Sequence, residues 1–127
     1  MLKRSECNKN AAFLLLGKHH YDGCVVAFYY SVLQRMMYAL NENKKRPLHY
    51  ENQNPLDENI HQKILIEITN RIGNQKEGES FKQKFEELLE YRKKADYQWD
   101  SITQEECVNC RALYEGMMSK LNRFFPL

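Results

Sequence analysis

The sequence predicts an all-α fold: a compact antiparallel bundle of four to five helices, forming one domain over residues 1–127. Apolar residues recur at three- and four-residue spacing through five segments, the period of a helix face. No run alternates polar and apolar residues as a half-buried strand would. Five Gly and three Pro are also too few for the many turns of an all-β sandwich. One domain is expected at this length, since domains typically run about 100–150 residues.

The first helix is expected over roughly Ser5 to Lys18, with Ala11, Ala12, Phe13, Leu15 and Leu16 apolar and Gly17 as a left-handed cap. The second runs from Asp22, a good N-cap type, to about Asn43. Val25, Val26, Tyr29, Leu33, Met36, Met37 and Leu40 form its face, and Phe28, Val32 and Tyr38 thicken it. So apolar a helix belongs at the centre, touched from more than one side. Lys44 to Pro55 breaks the period with two prolines and reads as a surface loop. A third helix follows over Leu56 to Ile72, stopped by Gly73 and the polar string NQKEGES. The fourth, about Ser80 to Trp99, buries Phe81, Phe85, Leu88, Leu89 and Trp99. Lys82 with Glu86, and Glu90 with Lys94, are i,i+4 pairs that support its outer side. Thr103 and Glu106 form a capping-box pattern that opens a fifth helix, which ends before Pro126.

Composition excludes some functions. With 43% hydrophobic and 28% charged residues, the chain is neither disordered nor membrane-like in type. Nineteen basic against 17 acidic residues leave only +2, so no global field advertises nucleic-acid binding. The six-residue run AAFLLL is too short for a signal-peptide core or a membrane span, and a cytosolic protein with reduced thiols is expected. Cys107 and Cys110 form C-V-N-C, which is only half a metal site. Cys7 and Cys24 lie far away in sequence, so buried structural thiols are expected, with no metal and no cofactor.

Arg92 is the most informative position. The stripe of the fourth helix steps through Phe81, Phe85, Leu88 and Leu89, then meets Arg92 and Asp96 before Trp99. A guanidinium is costly to bury without a partner, and Asp96, one turn on, is placed to be one. Such a pair is either a structural ion pair or part of a face left for a cleft or a dimer seam. The stripe's charged end favours a homodimer with the fourth helix near its seam. His61 flanks the Ile60 and Ile64 stripe and supplies titratable chemistry if it lies near Arg92. His19 and His20 follow Gly17 in a turn, and His49 lies in the long loop. Basic residues gather at Lys44, Lys45 and Arg46, at Arg92, Lys93 and Lys94, and at Lys120 and Arg123. Tyr29, Tyr30 and Tyr38 read as core aromatics.

The string YRKKADYQW, from Tyr91 to Trp99, resembles the Arg-x-x-Ala-Asp-Tyr motif of one branch of the HEPN superfamily. YDGCVVAFYYSVLQRMMYAL, from Tyr21 to Leu40, is similar to that family's long early helix. His61 in NIHQKI matches a histidine that this branch often carries at the start of a mid-chain helix, and TQEEC suits the last element. The matches span nearly the whole chain in the expected order. The resemblance implies a small helical bundle, homodimeric, from a prokaryotic toxin–antitoxin or defence system, commonly paired with a minimal nucleotidyltransferase. It also implies binding or cleavage of RNA or nucleotides. Active members resemble metal-independent endoribonucleases whose Arg-x(4–6)-His motifs meet across the dimer. Arg92 would then hold phosphate, with Asp96, His61 and Tyr97 as further site residues.

At the position of the motif's histidine this chain has Tyr97. A phenol with an ordinary pKa near 10 is a poor base at neutral pH, though it can donate a hydrogen bond or stack on a base. Arg92 and Tyr97 also lie about 140° apart around a straight helix, whereas Arg92 and Asp96 share a face. Two readings follow: a HEPN-type component that binds or weakly cleaves RNA or nucleotides, and a non-catalytic helical module for dimerisation and protein interaction.

Overall fold

The computed structural model describes residues 1–50, 57–97 and 101–127, the side chain of residue 97 excepted. Five helices make up the fold: α1 (Leu2–Gly17), α2 (Tyr21–Asn41), α3 (Glu58–Ile72), α4 (Gln75–Tyr97) and α5 (Gln104–Phe124). No strand occurs among the described residues. Helix α2 is central and packs against each of the other four. Twelve of its 21 residues are buried, from Cys24 to Leu40. Across from it, α4 inserts Phe81, Phe85, Leu88 and Leu89. Each large apolar side chain buried this way contributes roughly 1.5–3 kcal/mol. From α5 come Cys107, Cys110, Tyr114, Met117 and Leu121.

Several boundaries differ from the sequence expectation, each for a local reason. Gly17 is the last helical residue of α1, and the left-handed φ of 61° falls instead on His19. His20 caps α2, so Asp22 lies within the first turn. Its carboxylate accepts the Ile102 N–H at 2.7 Å, tying the start of α2 to the approach of α5. Asp57 caps α3 by accepting the Asn59 N–H at 2.9 Å; the expected start at Leu56 lies outside the described residues.

Helix α4 starts at Gln75, not Ser80. The turn between α3 and α4 needs only Gly73, left-handed at φ 73°, and Asn74, whose side chain accepts the Glu77 N–H at 3.1 Å. The string NQKEGES is polar because, apart from Asn74 before the helix and Gly78 facing α3, it lies on the outer side of the start of α4. Gly78 lets α4 approach α3: a Cβ there would stand 3.2 Å from the Thr69 carbonyl oxygen. The helix is described to Tyr97, and Trp99 lies outside the described residues, as do positions 51–55 of the expected loop.

The remaining expectations hold more closely. Thr103 and Glu106 form the full capping box of α5. That helix ends at Phe124, before Pro126. Polar contacts fasten α1 to the centre: Ser5 Oγ donates to the Ser31 carbonyl at 2.7 Å, and Ser31 Oγ donates to the Ser5 carbonyl at 2.8 Å. No described helix is long and apolar enough to cross a membrane.

Candidate functional site

Arg92 sits where α2, α3 and α4 converge, on the turn after Leu88 and Leu89. It is 2% exposed. Its surroundings replace the water it has lost. Nη2 donates to Glu58 Oε1 at 3.0 Å, and Nη1 donates to the Tyr30 hydroxyl at 3.2 Å. Nε stands 3.6 Å from Asp96 Oδ2, an ion-pair distance between residues one turn apart on α4. The guanidinium carbon lies 5.0 Å from the centre of the Tyr29 ring, a cation–π arrangement. Two carboxylates, a hydroxyl and a ring face thus surround one cation.

Tyr29 extends the cluster inward. Its hydroxyl is 2.7 Å from His61 Nδ1, and its ring packs against Phe85 with centroids 5.4 Å apart. Burial pushes the Tyr29 phenol above its ordinary pKa; Arg92 opposes the shift, while Tyr30 and Glu58 add to it. A phenol so held is no base at neutral pH. His61 is 1% exposed, between Tyr29 and Tyr30. The structure therefore links Arg92, Asp96 and His61 in one cluster through two tyrosines. Tyr97 completes the expected set, and its side chain lies outside the described residues.

The outer members of this cluster meet solvent. Glu58 is 43% exposed and Asp96 33%, and Lys93 approaches Glu58 at 3.8 Å. The groove beside them, of about 690 Å³, is lined by Gln62, Gln83, Glu86, Glu87, Leu89, Glu90 and Lys93. Three glutamates against one lysine give it an acidic lining that repels a polyanion. The apolar stripe of α4 up to Arg92 is covered within one chain, so its burial does not require the dimer seam expected from the sequence.

Other expected features fall as follows. Lys94 forms an ion pair with Glu106 across to α5 at 2.9 Å. His19 and His20 lie in the α1–α2 turn, with His19 Nδ1 2.8 Å from the Tyr21 hydroxyl. Cys107 and Cys110 are fully buried. Among the described residues no three of His, Cys, Asp and Glu are grouped to hold a metal ion.

Sequence reasoning missed the partners rather than the arginine. Glu58 is an acidic residue in a helix's first turn, where acidic residues are ordinary. Nothing in one dimension shows that it crosses to Arg92, 34 residues on. Tyr29 is a core aromatic as expected, Tyr30 is half-buried against the core, and their hydroxyls are what join the cluster. A second buried arginine, Arg35, was also passed over. Like Arg92 it interrupts an apolar helix face, so the same signal marked it.

Comparison with protein-family models, with curated proteins and with solved structures gives no match to this chain.

Proposed function

We propose that this chain is a HEPN-like, non-catalytic helical module that works in the cytosol, dimerises and docks a protein partner. By the resemblance, that partner is a minimal nucleotidyltransferase in a prokaryotic toxin–antitoxin or defence system. One observation carries the non-catalytic reading: Arg92 is buried and already neutralised by Glu58 and Asp96. A phosphate-gripping arginine needs free donors facing solvent, and here the histidine of the cluster, His61, is buried with it. The acidic groove alongside supports the same reading.

The deciding assay is RNA cleavage with chelator present, comparing wild type, Arg92→Ala and Tyr97→His. No cleavage by any of the three is expected. Cleavage by wild type that Arg92→Ala abolishes, with its helical circular dichroism intact, overturns the reading. Sedimentation at micromolar concentration is expected to give twice the chain mass of 15.2 kDa. A single-chain mass throughout removes the homodimer. Co-purification with the product of a neighbouring nucleotidyltransferase reading frame tests the partner.

A second reading, nucleotide or RNA binding with weak cleavage, has one observation in its favour. Glu58 and Asp96 are partly exposed, so a phosphate could take their places on Arg92. On that reading Glu58→Gln tightens nucleotide binding in a calorimetric titration; on the non-catalytic reading neither form binds.

A further inference from the structure

Cys24 near the start of α2 and Cys107 in the first turns of α5 are 83 positions apart in sequence, yet their Sγ atoms are 3.1 Å apart. Both side chains are fully buried. The thiols share one S–H hydrogen bond, so the sulfurs already face each other across the helix interface. Disulfide closure needs a further approach of only about 1 Å to reach a bond of roughly 2.05 Å. Cys110, one turn further along α5, is also buried, and Cys7 is exposed on α1.

We propose that Cys24 and Cys107 form a reversible disulfide that locks α2 to α5 when the protein meets a peroxide. One thiolate attacks the peroxide oxygen, giving a sulfenic acid and releasing the alcohol or water. The second sulfur then attacks the sulfenic sulfur, the S–S bond forms, and water leaves with the displaced oxygen. Two thiols are oxidised, and the peroxide takes the two electrons. A dithiol reductant returns both thiols by exchange.

The environment also sets the pace. Burial raises the thiol of Cys24 and, less steeply, that of Cys107, where the hydrogen bond shared with Cys24 opposes the rise. Because only the thiolate attacks a peroxide, closure speeds up as pH rises above neutrality. Access comes from fraying where the approach to α5 is held to α2 by the Ile102–Asp22 bond. Loss of that bond in Asp22→Ala, which leaves no acceptor for the Ile102 N–H, should accelerate closure several-fold.

The test uses the full reduced chain with Cys7→Ser, so that the exposed thiol forms no intermolecular link. Hydrogen peroxide is added, remaining thiols are alkylated, and disulfide-linked peptides are mapped by mass spectrometry. The expected product carries an intrachain link from Cys24 to Cys107, and each chain is lighter by two hydrogens. Its Tm should rise by roughly 10 °C and fall back with dithiothreitol. Cys24→Ala and Cys107→Ala should each abolish the link, and Cys110→Ala should retain it. A link through Cys110, or three alkylated thiols after peroxide with the fold intact, overturns the proposal. A Cys24–Cys107 link that leaves Tm unchanged overturns the lock.

Discussion

Arg92 and Arg35 are buried to nearly the same degree, 2% and 1% exposed, and the fold treats them in opposite ways. Arg92 meets two carboxylates, a hydroxyl and a tyrosine face at 5.0 Å. Among the described residues, Arg35 meets no carboxylate in the ion-pair geometry found for Arg92. Its Nη2 donates to the Phe125 carbonyl at 2.7 Å and to Asn122 Oδ1 at 3.3 Å, and its Tyr38 ring contact is longer, at 5.7 Å. Nε and Nη1 of Arg35 have no hydrogen-bond partner among the described residues. Burial therefore lowers its pKa, with Tyr38 opposing the shift. The difference separates two jobs. Arg92 is a keystone whose charge is part of the packing of α2, α3 and α4. Arg35 ties the end of α5 to α2 through a carbonyl, and carries its charge at a net cost.

Replacing each arginine with methionine, which keeps length and removes charge, should expose that contrast. Arg92→Met should lose about 3 kcal/mol in urea unfolding, since it strips two carboxylates and the Tyr30 hydroxyl of their partner. The partial exposure of Glu58 and Asp96 keeps the loss below that of a fully buried pair. Arg35→Met should stay within about 1 kcal/mol of wild type, because the lost bonds are offset by removal of an unpaired buried charge. Asn122 is exposed and the Phe125 residue is partly so, and both acceptors can turn to water. Equal losses at the two positions would show that the carboxylates are not what distinguishes them.

Tyr29 probes the interior side of the Arg92 cluster. Tyr29→Phe keeps the ring under the guanidinium and removes only the hydroxyl that bonds His61 at 2.7 Å. The expected loss is about 1.5 kcal/mol, the cost of withdrawing a partner from a buried polar group. A loss near zero would mean that the ring face, and not the hydroxyl bridge, connects His61 to the cluster. Glu58→Gln probes the solvent side and should lose about 1 kcal/mol, since Asp96 remains and Glu58 is half-exposed. That loss should shrink as salt is raised. A salt-independent loss would mark the Glu58 contact as effectively buried.

Periodicity in the sequence showed the helical architecture, the central place of α2 and the α5 capping box, because these depend on near neighbours in the chain. Arg92 and Asp96 were legible for the same reason: both lie on one turn of α4 and interrupt an apolar face. Glu58 was not legible, because its meeting with Arg92 is set by how α3 packs on α4, and that depends on Gly78 and the Thr69 carbonyl. The early start of α4 was hidden because polar residues are equally at home in a loop and on an exposed helical turn. Arg35 could have been found by the rule that found Arg92. What no pattern gives is whether a buried charge has a carboxylate beside it.

A half-buried ion pair gives the comparison its third point, and the smallest expected effect. Lys94 and Glu106 meet at 2.9 Å, with side chains 28% and 21% exposed, and Glu106 also closes the α5 capping box. The Lys94 hydrogen bond, followed by the Thr103 backbone bond, holds the Glu106 carboxyl below the usual glutamate range. In the unfolded chain it takes a proton near its ordinary value of about 4.3. Its contribution is therefore full above that value and is lost as pH falls through the lower value of the folded protein. Glu106→Gln should cost up to about 1 kcal/mol at about pH 6, and the gap to wild type should close toward about pH 3. The gap between wild type and Arg35→Met should stay flat over the same window, since no carboxylate among the described residues is bonded to Arg35. Urea unfolding of the three proteins at several pH values measures both gaps. An Arg35 gap that moves with pH would reveal a carboxylate partner and collapse the distinction between the two buried arginines.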